Sequence, residues 1–463
     1  IGALTGSGAN AAYNGPIQLE NSENFRVGVG GSDTLNLGGV MQWAGFPAGF
    51  GIQANGVVFD KVGTGTLVLA NNNLLQFGST ASVTAGTLAL SGATANLVDG
   101  AITVASGATL DIINDATVSN AINLNGGTIA NSAGAGTLQT GGVTLGADST
   151  LSSLGAAGTG TPGLLVSSPI TGAFGITKAG AGTVTLSGAN TYTGLTTVSE
   201  GTLAAQNATA LGTTAAGTTV ASGATLNING VAIGTEALSI AGAGVGSNGA
   251  LTGATGASFG GPVTLTAAAT IGGTGTFTIG NTVGGAFPLT INGAAGSTMI
   301  FNGAITTSSL AASATTQNIE LNASGTSIAP ASTFSNTGTL KLGSAAGNTL
   351  AFQGGLTATA PSLTTINGAV STAGVANISL GNATTGSGAT VDSAGGTISV
   401  NGGAAAVDLG AGSFTSTNAG TAISVASTSV TPLKLSNLTA TSGTVDLQAG
   451  AGGVAQNGGT IIH

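Results

Sequence analysis

The chain has 463 residues, of which 84 are glycine, with 4% charged and 3% aromatic residues, a hydrophobic fraction of 41% and a mean hydropathy of +0.46. That length would ordinarily imply about two to four globular domains, but glycine-punctuated alternation of Ala, Val, Ile and Leu argues instead for a structured β protein, neither disordered nor collagen-like. The net charge of −9 comes with only five scattered basic residues, Arg26, Lys61, Lys178, Lys341 and Lys434, which argues against nucleic-acid and anionic-membrane partners, and the lack of cysteine removes disulfides, thiol nucleophiles and thiolate metal sites.

The chain opens at Ile1-Gly2-Ala3-Leu4, without methionine, basic n-region or apolar h-region, so a trimmed or processed segment is expected. No apolar run approaches the roughly 18–20 residues needed for a membrane-spanning helix. Residues 1–60 hold Glu20, Glu23, Arg26, Asp33, Asp60, Tyr13, Met41, Phe25, Phe59 and the lone Trp43, and lack the phrase that recurs later. They are expected to form an N-terminal cap, in which Trp43, Phe46 and Phe50 cover the first layer of a strand stack, or else a docking surface for another subunit.

From residue 61 a phrase recurs: Gly65-Thr66-Leu67-Val68-Leu69, Gly86-Thr87-Leu88-Ala89-Leu90, Gly107-Ala108-Thr109-Leu110-Asp111-Ile112, Gly182-Thr183-Val184-Thr185-Leu186, Gly201-Thr202-Leu203 and Gly223-Ala224-Thr225-Leu226. Each copy is a short alternating strand behind a glycine turn. The marker positions Leu67, Leu88, Leu110 and Ile129 follow one another at a nearly constant interval, roughly 20 residues, which is the period of a stacked repeat. Toward the C terminus the phrase loosens into pairs such as Ile319/Leu321, Leu340/Leu342, Ile378/Leu380, Ile398/Val400, Ile423/Val425 and Val445/Leu447. Asn-Gly pairs at 14–15, 125–126, 229–230, 292–293, 302–303, 367–368 and 401–402 predict tight turns with φ > 0. A meander would space equivalent strands at about 8–12 residues. The longer period predicts one coil of a solenoid instead.

The expected fold is therefore all-β, a parallel β-helix (β-solenoid) of about 20 residues per coil, with inward Leu, Ile and Val stacked coil on coil and Thr, Ser and Asn outside. Roughly 20 coils at about 4.8 Å would make a rod on the order of 100 Å long. The expected divisions are a cap or docking segment at 1–60, a regular β-helix at 61–285 and a more degenerate β-helix at 286–463.

The stretch Lys178-Ala179-Gly180-Ala181-Gly182-Thr183-Val184-Thr185-Leu186-Ser187-Gly188-Ala189-Asn190-Thr191-Tyr192-Thr193-Gly194 resembles the autotransporter-associated β-strand repeat of bacterial autotransporter passenger domains. The likeness continues through Thr196–Leu203, Ala210-Leu211-Gly212 and Gly223–Leu226. A looser copy starts at Lys61-Val62-Gly63-Thr64-Gly65-Thr66-Leu67-Val68-Leu69-Ala70-Asn71, and Leu195 stands where the family usually has glycine. The C-terminal part is similar in style to filamentous-haemagglutinin-like surface proteins. The resemblance implies a right-handed β-helix secreted to a bacterial surface, with repeats that help the passenger fold and exit and no catalytic residues to carry over. The membrane barrel of that family is not visible in this sequence.

Enzymatic β-helices need clustered carboxylates, or carboxylates beside Arg or Lys. The nearest candidates are Asp111 with Asp115, read as solvated turn acids, and Glu20, Glu23 and Arg26, read as an ion cluster in the cap. The one histidine is His463, which argues against His-based triads and zinc sites. Thr-x-Thr pairs such as Thr183/Thr185 and Thr276/Thr278 raise an ice- or crystal-binding face, but they do not recur at one coil position. The expected function is a non-catalytic extracellular structural or adhesive surface protein, with no cofactor or metal expected. The expected partners are further copies, joined head-to-tail through end strands or the cap, and surface or matrix glycans. The alternative is a carbohydrate-active or glycan/ice-binding β-helix.

Overall fold

A strand alternating apolar and small polar residues has one dry face and one wet one, and a short strand cannot bury the dry face alone. Stacking equivalent strands solves both problems, because each backbone ladder pairs with the coil before and the coil after. The computed structural model describes residues 2–6, 10–13, 17–19, 25–37, 41–43, 58–70, 80–92, 100–154, 163–456 and 458–462. It is all-β, with parallel strands wound as a β-solenoid of about 18 turns and about 22 residues per turn. The described strand ladders are parallel, and the one antiparallel contact among the described residues is an isolated bridge between Ala105 and Gly126. The chain divides into two units, Ile1–Leu226 and Asn227–His463.

In the first unit the recurrent phrase pairs residue for residue. Leu35, Leu67, Leu88, Leu110, Ile129 and Leu151 form one inward column. All six are buried. Strand Thr34–Leu37 joins this column in register with Thr66–Leu69, with Asp33 rather than a glycine directly before it. Further strands of the expected cap segment also pair in parallel, Gly2–Gly6 with Phe25–Val29 and Ile17–Leu19 with Met41–Trp43. Phe46, Phe50 and the Trp43 side chain, the expected cap, lie outside the described residues. A second inward column, on another sheet, runs Val27, Lys61, Val83, Val104, Leu124 and Leu145. An outward threonine column also stacks: Thr34, Thr66, Thr87, Thr109, Thr128, Thr150, Thr177, Thr197 and Thr219 occupy successive coils, of which Thr66, Thr87 and Thr109 belong to the phrase. Single threonines therefore do hold one coil position, although Thr-x-Thr pairs do not.

The second unit uses larger inward side chains. Phe259, Ile279, Phe301, Leu321, Leu342 and Ile366 make one column, and Ala257, Phe277, Met299, Ile319 and Leu340 another. Phe334 and Phe352 pack edge to face with ring centroids 6.2 Å apart, a favoured aromatic geometry. The Phe277 ring lies against Gly253, where any Cβ would collide with it.

The Asn-Gly turns are only partly what the sequence predicts. Gly126 (φ 82°) and Gly230 (φ 72°) adopt positive φ, as a tight turn requires. Gly293, Gly303, Gly368 and Gly402 do not. Glycine serves another purpose at Gly368, where an added Cβ would sit 2.7 Å from the Asn348 carbonyl oxygen of the coil below. Close approach between coils, rather than handed backbone, excludes a side chain there.

Candidate functional site

Two lysines sit where the alternation calls for an aliphatic side chain. Lys61 belongs to strand Val58–Val62 and Lys178 to Ile176–Ala179, each at an inward position of its strand. Lys61 is stacked between Val27 and Val83, and Lys178 between Leu151 and Val198. Both are completely buried. The methylene stem of each fills the apolar column, which leaves the ammonium to be solvated by the protein alone.

The solvation is the same in both places. Lys61 Nζ donates to the carbonyl oxygens of Val62 (3.1 Å), Gly63 (2.7 Å) and Ala85 (2.9 Å). Lys178 Nζ donates to those of Ala179 (2.9 Å), Gly180 (2.6 Å) and Glu200 (2.8 Å). An ammonium has three donors, and all three are used. Two acceptors come from the strand end and turn right after the lysine, and the third comes from the coil above, so each lysine staples two coils together. The glycine in the turn has φ 76° at Gly63 and 75° at Gly180, a left-handed conformation open to glycine at little cost. The residue after the third acceptor is also a left-handed glycine, Gly86 (φ 65°) or Gly201 (φ 64°). A Cβ at Gly86 would strike the carbonyls of Gly63 and Gly65, and one at Gly201 those of Gly180 and Gly182.

Burial pushes both ammonium groups down to about 8; at Lys178 the Glu200 carboxylate opposes that shift. The sequence presents these lysines as part of a scattered basic set and of a repeated phrase. Sequence reasoning misses their role, although a signal is present: each takes an apolar phase in its strand, after Phe59-Asp60 and Ile176-Thr177.

Other polar groups of the second copy also tie coils together. Asn190 accepts from the Ile170 amide (2.8 Å) and donates to the Ala210 carbonyl (2.6 Å). Within a single coil, buried Tyr192 shares a hydrogen bond of 2.6 Å with Thr196 Oγ1. The candidate acids do not converge. Asp115 is an exposed turn residue with φ 65°. Asp111 departs from the solvated reading: it is buried and accepts from Ser132 through its amide (3.0 Å) and hydroxyl (2.5 Å), one coil away. Arg26 pairs with Asp60 across the ladder at 3.3 Å, while Glu20, Glu23 and His463 lie outside the described residues. Among the described residues no group of three or more His, Cys, Asp or Glu could hold a metal ion, and no helix is long and apolar enough to cross a membrane.

Residues 59–90 and 176–205 match the family model of the passenger-associated-transport-repeat. Both lysine staples fall inside these segments, each complete with its third carbonyl and following glycine. No curated protein and no solved structure matches the chain. The two matched segments lie in a parallel β-solenoid, and over them the chain is similar to the autotransporter passenger domains that carry this repeat.

Proposed function

We propose that the chain is the displayed part of an autotransporter, exported to the bacterial surface, where it is a non-catalytic structural or adhesive element. The observation that carries this reading is the pair of identical lysine staples inside the two matched repeats. A solenoid that can add coil upon coil suits a chain that leaves the cell as an extended thread, since each coil needs only its neighbour to fold against. The absence of cysteine is compatible with passage in a reduced, unfolded form. Outward columns of small neutral side chains suit lateral packing, and the open strand edges of a stack's last coils suit end-to-end addition of further copies into a fibre. The test is protease shaving and antibody labelling of intact producing cells. Release of the chain and labelling without permeabilisation support surface display, while protection until lysis overturns it.

The stacked threonines from Thr34 to Thr219 favour a second reading, a flat binding face for a repetitive surface such as a glycan lattice or ice. Glycan-array binding or thermal hysteresis that disappears when Thr87, Thr109 and Thr128 become lysine would support it. Unchanged binding by that variant would count against it.

A further inference from the structure

In the second unit every lysine lies on one outward column of one sheet. The column runs, coil by coil, Ile300, Glu320, Lys341, Thr365, Thr384, Asp408, Lys434 and Ala455. The inward neighbours on either side of each charge, such as Leu340 and Leu342 or Leu433 and Leu435, are buried, which points the charged side chains outward. Lys341 pairs with Glu320 at 3.1 Å and Lys434 with Asp408 at 2.8 Å, all four side chains remaining 30–48% exposed. The resulting order of charges is minus, plus, neutral, neutral, minus, plus.

That order has a symmetry consequence. Laid face to face against a second copy in the same direction and at the same height, each charge meets its like. Turned end for end about a two-fold axis midway between the Thr365 and Thr384 levels, each charge meets its opposite. Glu320 faces Lys434 of the second copy, Lys341 faces Asp408, Thr365 faces Thr384, and outside them Ile300 faces Ala455. Because the existing pairs persist, each end of the contact becomes a ring of four alternating charges. The charged span covers five coil steps, about 24 Å at strand spacing.

We propose that this face is a self-recognition surface that joins two copies of the chain side by side and antiparallel. An isologous contact of this kind closes after two copies. Exposed ion pairs add little strength singly, but complementary charge sets register and rejects the wrong orientation. This lateral contact is independent of surface display and differs from addition through end strands, so either could fail alone.

The test uses the full chain in sedimentation velocity, in low and high salt. Swapping the first pair, Glu320→Lys with Lys341→Glu, keeps the intrachain ion pair but turns both intermolecular matches at each end into clashes. Self-association is expected to weaken at least about tenfold. Swapping the second pair alone, Asp408→Lys with Lys434→Asp, has the same expected effect. Carrying both swaps restores the alternation, so dimerisation returns. Mixing the two single-swap variants also restores it, now as a heterodimer, and raised salt weakens every dimer. A wild-type chain that stays monomeric in low salt overturns the proposal. So does association that both single-swap variants keep unchanged, because that contact would lie elsewhere.

Discussion

At the scale of single residues, Lys61 and Lys178 decide between two opposed costs. A methionine in their place would fit the aliphatic column and carry no buried charge, but it would leave three carbonyl acceptors unmet around each site. Bonds from a charged donor are worth about 1.5–3 kcal/mol each, so the acceptors dominate. Lys178→Met is expected to destabilise the fold by about 2–4 kcal/mol in urea titration, and Lys61→Met similarly. A loss near zero would mean that water reaches those carbonyls. The pH dependence follows from the same burial. Each folded lysine has its pKa lowered from 10.5 to about 8, so between those values the unfolded chain binds more protons and folding stability rises with pH. The cost of the buried charge is fully present below about pH 8 and gone by about 10.5. Relative to the double Lys→Met variant, the native chain should therefore gain stability from pH 8 to 10.5. A constant difference across that range would show that the carbonyls compensate burial completely. Gly201→Val places a branched side chain at φ 64° against the Gly180 and Gly182 carbonyls. It should cost more than about 2 kcal/mol, whereas the same change at Gly223, with no atom near its Cβ, pays only for backbone conformation.

At the scale of the strand, the unit of stability is the inward column rather than the individual coil. Leu88 is fully buried between Leu67 and Leu110, so Leu88→Ala opens a cavity in a narrow core that has few ways to collapse. The expected loss is about 2–5 kcal/mol by chemical denaturation. Insertion of one residue within strand Thr87–Ser91 should be worse than the truncation, since a one-residue slip turns leucines outward and threonine and serine inward. An insertion in a turn between strands should be tolerated. Neighbouring coils already differ there: Glu320 and Lys341 are adjacent at a separation of 21 residues and Asp408 and Lys434 at 26.

At the scale of the whole molecule, coils that touch only their neighbours make stability a sum along the chain. A lesion should therefore be felt locally. In Leu88→Ala, amide exchange is expected to accelerate first in Thr66–Ala70 and Thr109–Ile113 and last in Thr183–Leu186, as hydrogen-exchange mass spectrometry would report. Uniform acceleration would indicate one cooperative unit instead. The same additivity suits a chain that folds coil by coil, and staples in two separate coils give it two places where a turn and the coil above are locked together. The proposed contact between copies uses an outward column, separate from the core that sets the stack.

Much of this was legible without coordinates. Alternation is a local property with a period of two, so strand phase, the inward leucines and the coil period could be read from the phrase that begins at Gly65, and parallel stacking followed from its recurrence. The resemblance of residues 61–71 and 178–194 to passenger repeats was equally visible. What lay hidden depends on which residue of one coil meets which residue of the next. Turns of unequal length separate the strands. Thr66 stacks on Thr34 below and on Thr87 above, yet the chain between the first two is much longer than between the second two, and no count along the chain predicts both. Only the tertiary structure brings Ala85 to Lys61 and Glu200 to Lys178, draws Asp111 under Ser132, and sets Glu320, Lys341, Asp408 and Lys434 in one line. The sequence by itself determined that strands stack. The register between coils, chosen by packing and hydrogen bonding of the whole stack, decided what each charged side chain does.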